Sequence, residues 1–167
     1  RLVREGIAYA RSSEVLEEPR QVVSLNAFLD TLACDYQDIG KAVMFTSCHG
    51  RDNFAVRPQA LRRIMTNLID NALKFGSEAQ VILSAPQGDR VEIQVLDNGP
   101  GIPEAELQAV LEPFYRVESS RNRHTGGTGL GLAIATQLVS QMSGSLHLSN
   151  RSEGGLDAHI TLQQTDL

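Results

Sequence analysis

The sequence contains no run approaching the ~18 consecutive apolar residues that a membrane-spanning helix needs, and no signal-peptide pattern. It has only two cysteines, Cys34 and Cys48, at no metal-ligand spacing. That excludes a cysteine-based metal motif and fits free thiols in a reducing compartment. Positive charge is in deficit, 15 Lys and Arg against 20 Asp and Glu for a net charge of −5, which counts against a nucleic-acid binder. Internal repeats and low-complexity tracts are absent. The common phosphate motifs are missing too. The glycines of "HTGGTGLGLAI" (124–134) are followed by Leu132 and Ala133, not the Lys-Ser or Lys-Thr of a P-loop, and they do not space as G-x-G-x-x-G. The chain begins at Arg1, inside what reads as a helix, so the expectation is a fragment of something longer.

What is present suits one domain with a sizeable core: 167 residues, 41% hydrophobic and 21% charged. Residues 1–18 read as a helix tail ended by Pro19. Residues 24–39 form an amphipathic helix with Leu25, Phe28, Leu29, Leu32, Tyr36 and Ile39 on one stripe and Ser24 as N-cap. Short strands near 42–47 and 53–57 flank the turn "HGRD". Pro58 opens a helix of about 18 residues, whose apolar stripe is Leu61, Ile64, Met65, Leu68, Ile69 and Ala72. "AQVILSAP" and "RVEIQVLDNG" are strands around a "QGD" turn, and "PEAELQAVL" is a short helix. A long polar segment spans 112–127, "TGLGLAIATQLVSQM" is a buried helix, and "GSLHLSN" with "LDAHITLQQ" makes a hairpin. Strands that pair through short turns, without a strict βαβ repeat, predict an α+β sandwich: a mostly antiparallel sheet covered on one face by helices.

Four segments stand out against this background. Asn67, Asn71 and Lys74 share one face of the Pro58 helix at i, i+4 and i+7, flanked by Asp70 and lying roughly 120° from the apolar stripe. The face is either simply solvated or a ligand face. Two asparagines a turn apart are poor helix formers for a solvated face, whereas their amide oxygens suit Mg²⁺ and their NH₂ groups suit phosphate. "LDNGPGI" (96–102) reads equally as a tight turn or as a site in which the Asp97 carboxylate accepts from an exocyclic amine while Gly99 and Gly101 let a flat base approach. "EPFYRVESSRNRHTGG" is either a basic loop or a mobile cover that brings Arg116, Arg121 and Arg123 to phosphates. Gly126, Gly127, Gly129 and Gly131 are either a flexible lead-in to a helix or a backbone cradle for an anion at its N-terminus.

In order and spacing these segments resemble four boxes of the sensor histidine kinases. N-L-I-D-N-A-L-K-F (67–75) is similar to the N box, D-N-G-P-G-I (97–102) to the G1 box, E-P-F-Y-R (112–116) to the F box and G-G-T-G-L-G-L (126–132) to the G2 box. The resemblance spans residues 20 to 163. It implies the Bergerat ATP-binding fold, a two-layer α/β sandwich with a flexible ATP lid, shared with DNA gyrase, a heat-shock chaperone and MutL-type repair ATPases. Carried over by position, it implies that Asp97 hydrogen-bonds the adenine amine and that Asn71 ligates Mg²⁺ with Asn67 alongside. Lys74 and Arg116 neutralise phosphate charge, so that Asn67, Lys74 and Arg116 serve the transfer. Phe75 and Phe114 pack around the nucleotide or anchor the lid. Gly99, Gly101 and Ile102 line the base. Gly127, Thr128, Gly129, Leu130 and Gly131 meet the β- and γ-phosphates, with Thr128 as helix cap. The lid, 115–126, is expected to order on nucleotide.

Gyrase-like members of that superfamily carry a glutamate at the position of Asn67, and an amide cannot act as a general base. The resemblance therefore implies a histidine kinase domain that transfers the γ-phosphoryl of ATP rather than a hydrolase. The alternatives are a non-kinase nucleotide-binding regulatory module or an ATPase of the same fold. None of His49, His124, His147 and His159 sits in the family's acceptor pattern. Residues 1–18 resemble the end of the dimerisation and phosphotransfer helix, leaving 19–167 as the ATP-binding domain. The implied partners are that dimerisation domain and a response regulator. The intact protein is then expected to be a homodimer whose catalytic part is cytoplasmic and whose only membrane contact lies upstream.

Overall fold

The structure, a computed structural model, describes residues 18–111 and 131–164. Strand β1 (Gln21–Ser24) leads directly into helix α1 (Leu25–Asp38). Strands β2 (Val43–Thr46) and β3 (Asn53–Val56) precede helix α2 (Pro58–Phe75). Strands β4 (Ala79–Leu83) and β5 (Arg90–Asp97) follow, then helix α3 (Gly131–Gln141) and strands β6 (Ser145–Asn150) and β7 (Leu156–Gln163). Five strands form one sheet in the order β2-β4-β5-β7-β6. Its pairs are antiparallel except β2 with β4, which is parallel. This is the α+β sandwich expected.

The sheet presents one apolar face because its strands alternate. Val91, Ile93 and Val95 of β5 and Leu156, Ala158, Ile160 and Leu162 of β7 are buried, with less buried residues between them. The apolar stripes of α1, α2 and α3 close over that face in a single core. All six residues expected on the α2 stripe are buried. Asp97 continues the buried alternation of β5 and, at 5% exposure, is the only buried polar or charged side chain among the described residues. No described helix is long and apolar enough to cross a membrane.

Ser24 caps α1 as expected, accepting from Ala27 N at 3.2 Å. Its hydroxyl donates to Asp52 Oδ2 at 2.6 Å, which also accepts from Asn26 N. The two strands around "HGRD" do not pair with each other. β2 joins the main sheet, while β3 pairs antiparallel with β1, a strand of four residues that the periodicity does not announce. The short helix expected at "PEAELQAVL" is instead two 3₁₀ turns, Glu104–Glu106 and Ala109–Leu111. Only Val110 is buried in them, so no apolar stripe pulls the segment into an α-helix, and Pro103 offers no side-chain cap.

Candidate functional site

The site is assembled where the C-terminal end of α2 meets the turn after β5. On α2, Asn67 and Asn71 are half-buried and Lys74 and Asp70 exposed, on the face away from the core stripe. The Asn67 Nδ2 atom is buried and finds no hydrogen-bond partner among the described residues. A buried amide donor left unpaired is unfavourable unless something else accepts from it. Lys74 Nζ lies 5.9 Å from the centroid of the Phe75 ring. Tyr36 of α1 donates to Asp70 Oδ1 at 2.7 Å. Its hydroxyl pKa is pushed up from the ordinary value, first by burial and then by the hydrogen bond and charge of Asp70.

Asp97 ends β5 facing inward. Its Oδ1 accepts from Gly99 N at 2.9 Å and from Leu156 N at 3.0 Å. Among the described residues both side-chain bonds fall on that one oxygen, so the carboxylate is oriented by backbone while Oδ2 takes no part in holding the turn. Asn98 ties the turn to the end of α2. Its Oδ1 accepts from Ser77 N at 2.8 Å and Glu78 N at 3.3 Å, and its Nδ2 donates to Ser77 Oγ at 2.9 Å. Gly99 packs directly on that helix end, where a Cβ would stand 2.6 Å from the carbonyl oxygen of Phe75. Its lack of a side chain is therefore set by the protein's own packing, not by room for a base alone. Gly101 occupies the left-handed region at φ 78°. Ile102 is bonded through both its N and O to the side chain of Asn150.

The structure thus brings Asp97 and Gly99 to Phe75, at the end of the helix that also carries Asn67, Asn71 and Lys74. Gly131 opens α3, and a Cβ there would meet nothing within 4 Å among the described residues. Phe114, Arg116, Gly127, Thr128, Gly129 and Leu130, and the lid assigned to 115–126, lie outside the described residues. Asn98, Asn150 and Arg151 were not singled out in the sequence. Asn98 lies inside the D-N-G-P-G-I segment, and for Asn150 and Arg151 the signal is the nearby glycine pair Gly154–Gly155, a turn mark that says nothing of what the turn touches. Of the histidines, His49 and His147 are exposed, and His159 Nε2 lies 2.6 Å from Glu92 Oε1 on β5.

Residues 56–166 match the family described as histidine kinase-, DNA gyrase B-, and HSP90-like ATPase. The sensor histidine kinase GtrS of Pseudomonas aeruginosa is 34% identical over 167 residues, covering 99% of this chain and 33% of GtrS. The histidine protein kinase SaeS of Staphylococcus aureus is 32% identical over 157 residues, 89% of this chain and 45% of SaeS. The chain therefore spans a third to under half the length of these relatives. Full-length ShkA, solved in complex with AMPPNP, superposes with a TM-score of 0.78 at 24% identity, over 99% of this chain and 36% of ShkA. That likeness is one of fold. With the family match covering most of its length, the chain belongs to the histidine kinase-, DNA gyrase B-, and HSP90-like ATPase family and is homologous to the catalytic domains of sensor histidine kinases.

Proposed function

We propose that this chain binds ATP with Mg²⁺ and presents the γ-phosphoryl group to a histidine on a dimerisation domain, for relay to a response-regulator aspartate. The observation that carries this reading is Asp97: the only buried carboxylate among the described residues, fixed through one oxygen by two backbone N–H groups, at a turn packed on the helix that bears Asn67, Asn71 and Lys74. Burying a carboxyl group is costly unless its oxygens are hydrogen-bonded; two backbone N–H groups satisfy one oxygen, and the second suits the exocyclic amine of adenine.

The α2 face fits a magnesium–phosphate group by its chemistry. The buried Nδ2 of Asn67, unpaired among the described residues, is a donor that suits an anionic acceptor, and Asn71, one turn on, offers a neutral amide oxygen of the kind Mg²⁺ accepts. Held by Asn71, with Asn67 alongside, a magnesium ion would supply neutralisation of phosphate charge. Lys74 adds positive charge at the last turn of α2, where the helix's own dipole is negative. In this reading Arg116 joins it, Phe75 and Phe114 pack against the nucleotide, and the glycines 127–131 with Thr128 and Leu130 receive the outer phosphates. Residues 1–18 are then the end of the dimerisation helix and 19–167 the nucleotide-binding unit of a cytoplasmic catalytic region, acting as a homodimer in the intact protein.

Calorimetry with ADP and ATP tests the reading. Asp97→Asn keeps an oxygen for Gly99 N and Leu156 N but turns a donor toward the adenine amine, itself a donor. The expected loss is about 1.5–3 kcal/mol, roughly 10- to 150-fold in affinity. Asn71→Asp is expected to change the magnesium dependence of ATP binding. Unchanged ATP affinity in Asp97→Asn refutes the adenine assignment.

A further inference from the structure

The turn from Asp97 to Ile102 is gripped at both ends by two consecutive residues of another element. At one end Arg151 Nη1 donates to the carbonyl oxygen of Asp97 at 2.7 Å. At the other, the Asn150 side chain accepts from Ile102 N at 2.8 Å and donates to Ile102 O at 2.7 Å, reproducing with one amide the double bond pattern of a strand pair. Both residues stand at the end of β6, where the hairpin turns into β7. That turn returns to Asp97 a second time. Leu156 N donates to Oδ1 of the carboxylate, and Gly155, at φ 99°, lies so close that a Cβ would overlap the Asp97 carbonyl oxygen. Arg151 is itself fixed by the hairpin, its N donating to Gly155 O at 2.9 Å and its O accepting from Gly154 N at 3.1 Å.

We propose that Asn150 and Arg151 are positioning residues for base recognition, a clamp from the β6–β7 turn that holds the Asp97–Ile102 turn in its reading conformation before nucleotide arrives. The proposal rests on the assignment of Asp97 to adenine made above. The clamp meets only backbone atoms of the turn, so it leaves the Asp97 carboxylate and the side chain of Ile102 available to a ligand. Each of these bonds fixes a group that otherwise has to be ordered when the base binds, and preorganisation of that kind appears as affinity and as selectivity. A residue with a purely structural role lowers the melting temperature and leaves the choice between bases untouched. A positioning residue changes that choice.

The test is calorimetric titration of the 167-residue chain with Mg-ADP and with Mg-GDP, well below the melting temperature of each variant. Guanine offers a carbonyl oxygen where adenine offers the amine, so a correctly aimed carboxylate prefers ADP. Arg151→Met and Asn150→Asp, which removes the donor to Ile102 O and keeps the acceptor for Ile102 N, are each expected to weaken ADP binding about tenfold and to narrow the preference for ADP over GDP. Arg151→Lys, which keeps a donor for the Asp97 carbonyl, is expected to recover most of both. If Arg151→Met and Asn150→Asp bind ADP within twofold of the parent chain with the same preference, while Asp97→Asn loses binding, the clamp is refuted and the adenine assignment stands. If the parent chain shows no preference for ADP, or Asp97→Asn binds as the parent does, the assignment of Asp97 fails and the clamp with it.

Discussion

At the scale of single residues, the environment decides what each polar group can do. Asp97 and Asp70 are both carboxylates near one helix, but Asp97 is buried with a backbone-filled oxygen while Asp70 is exposed and bonded to Tyr36. The Tyr36 phenol loses water on folding and gains an anionic neighbour, so its neutral form is favoured in the folded state. A raised folded pKa means that its contribution is fully present below about pH 10, the unfolded tyrosine value, and is lost as pH rises through the folded pKa. Denaturant titrations are expected to show stability falling from about pH 10 upward, and Tyr36→Phe to remove that part of the fall. An identical alkaline slope in the variant contradicts this account.

Among elements, α2 owes its placement to residues from outside it. Its N-cap, Arg57, makes no side-chain cap bond. Glu18 does so in its place, its carboxylate accepting from Gln59 N at 2.8 Å and Ala60 N at 3.2 Å while Arg57 Nε donates to the Glu18 carbonyl at 2.9 Å. A carboxylate on the first N–H groups of a helix satisfies orphan donors and complements the dipole. Glu18→Ala is expected to cost about 1 kcal/mol in urea unfolding, with Glu18→Gln retaining part of it. At the other end, Asn98 and the bare Cα of Gly99 lock α2 to the turn after β5. The helix is therefore pinned at both termini, and the face carrying Asn67 and Asn71 is held at a fixed distance from Asp97.

For the whole molecule, the consequential feature is the absence of a general base at Asn67. An amide neither takes a proton from water nor gives one, and among the described residues its Nδ2 is a donor still seeking a partner. The chain is therefore expected to bind ATP and ADP while releasing inorganic phosphate far below the ~1 per second of an ordinary enzyme. A phosphate-release assay under saturating Mg-ATP checks this. Turnover at or above that rate marks the chain as a hydrolase. Asn67→Glu, which restores a carboxylate at that position, is expected to raise the rate.

The sequence by itself determined the elements with strong period and which polar side chains share a face on them. The apolar stripe of α2, the alternation of β5 and β7, the Ser24 cap and the face of Asn67, Asn71 and Lys74 are all local: each depends on neighbours three or four residues away, or on every second residue. The box order likewise carried the family. What tertiary structure alone decided lies in contacts between segments distant in the chain. β1 formed because β3 paired with it, and β2 left β3 because β4 offered a parallel edge. The segment 103–111 stayed in 3₁₀ turns for want of a face to bury. Gly99 is required by the Phe75 carbonyl, 24 residues away in the chain. The grip of Asn150 and Arg151 on Asp97 and Ile102 joins residues about fifty positions apart through side-chain-to-backbone bonds. Such bonds leave no periodic trace in a sequence, because a backbone carbonyl or N–H is the same in every residue.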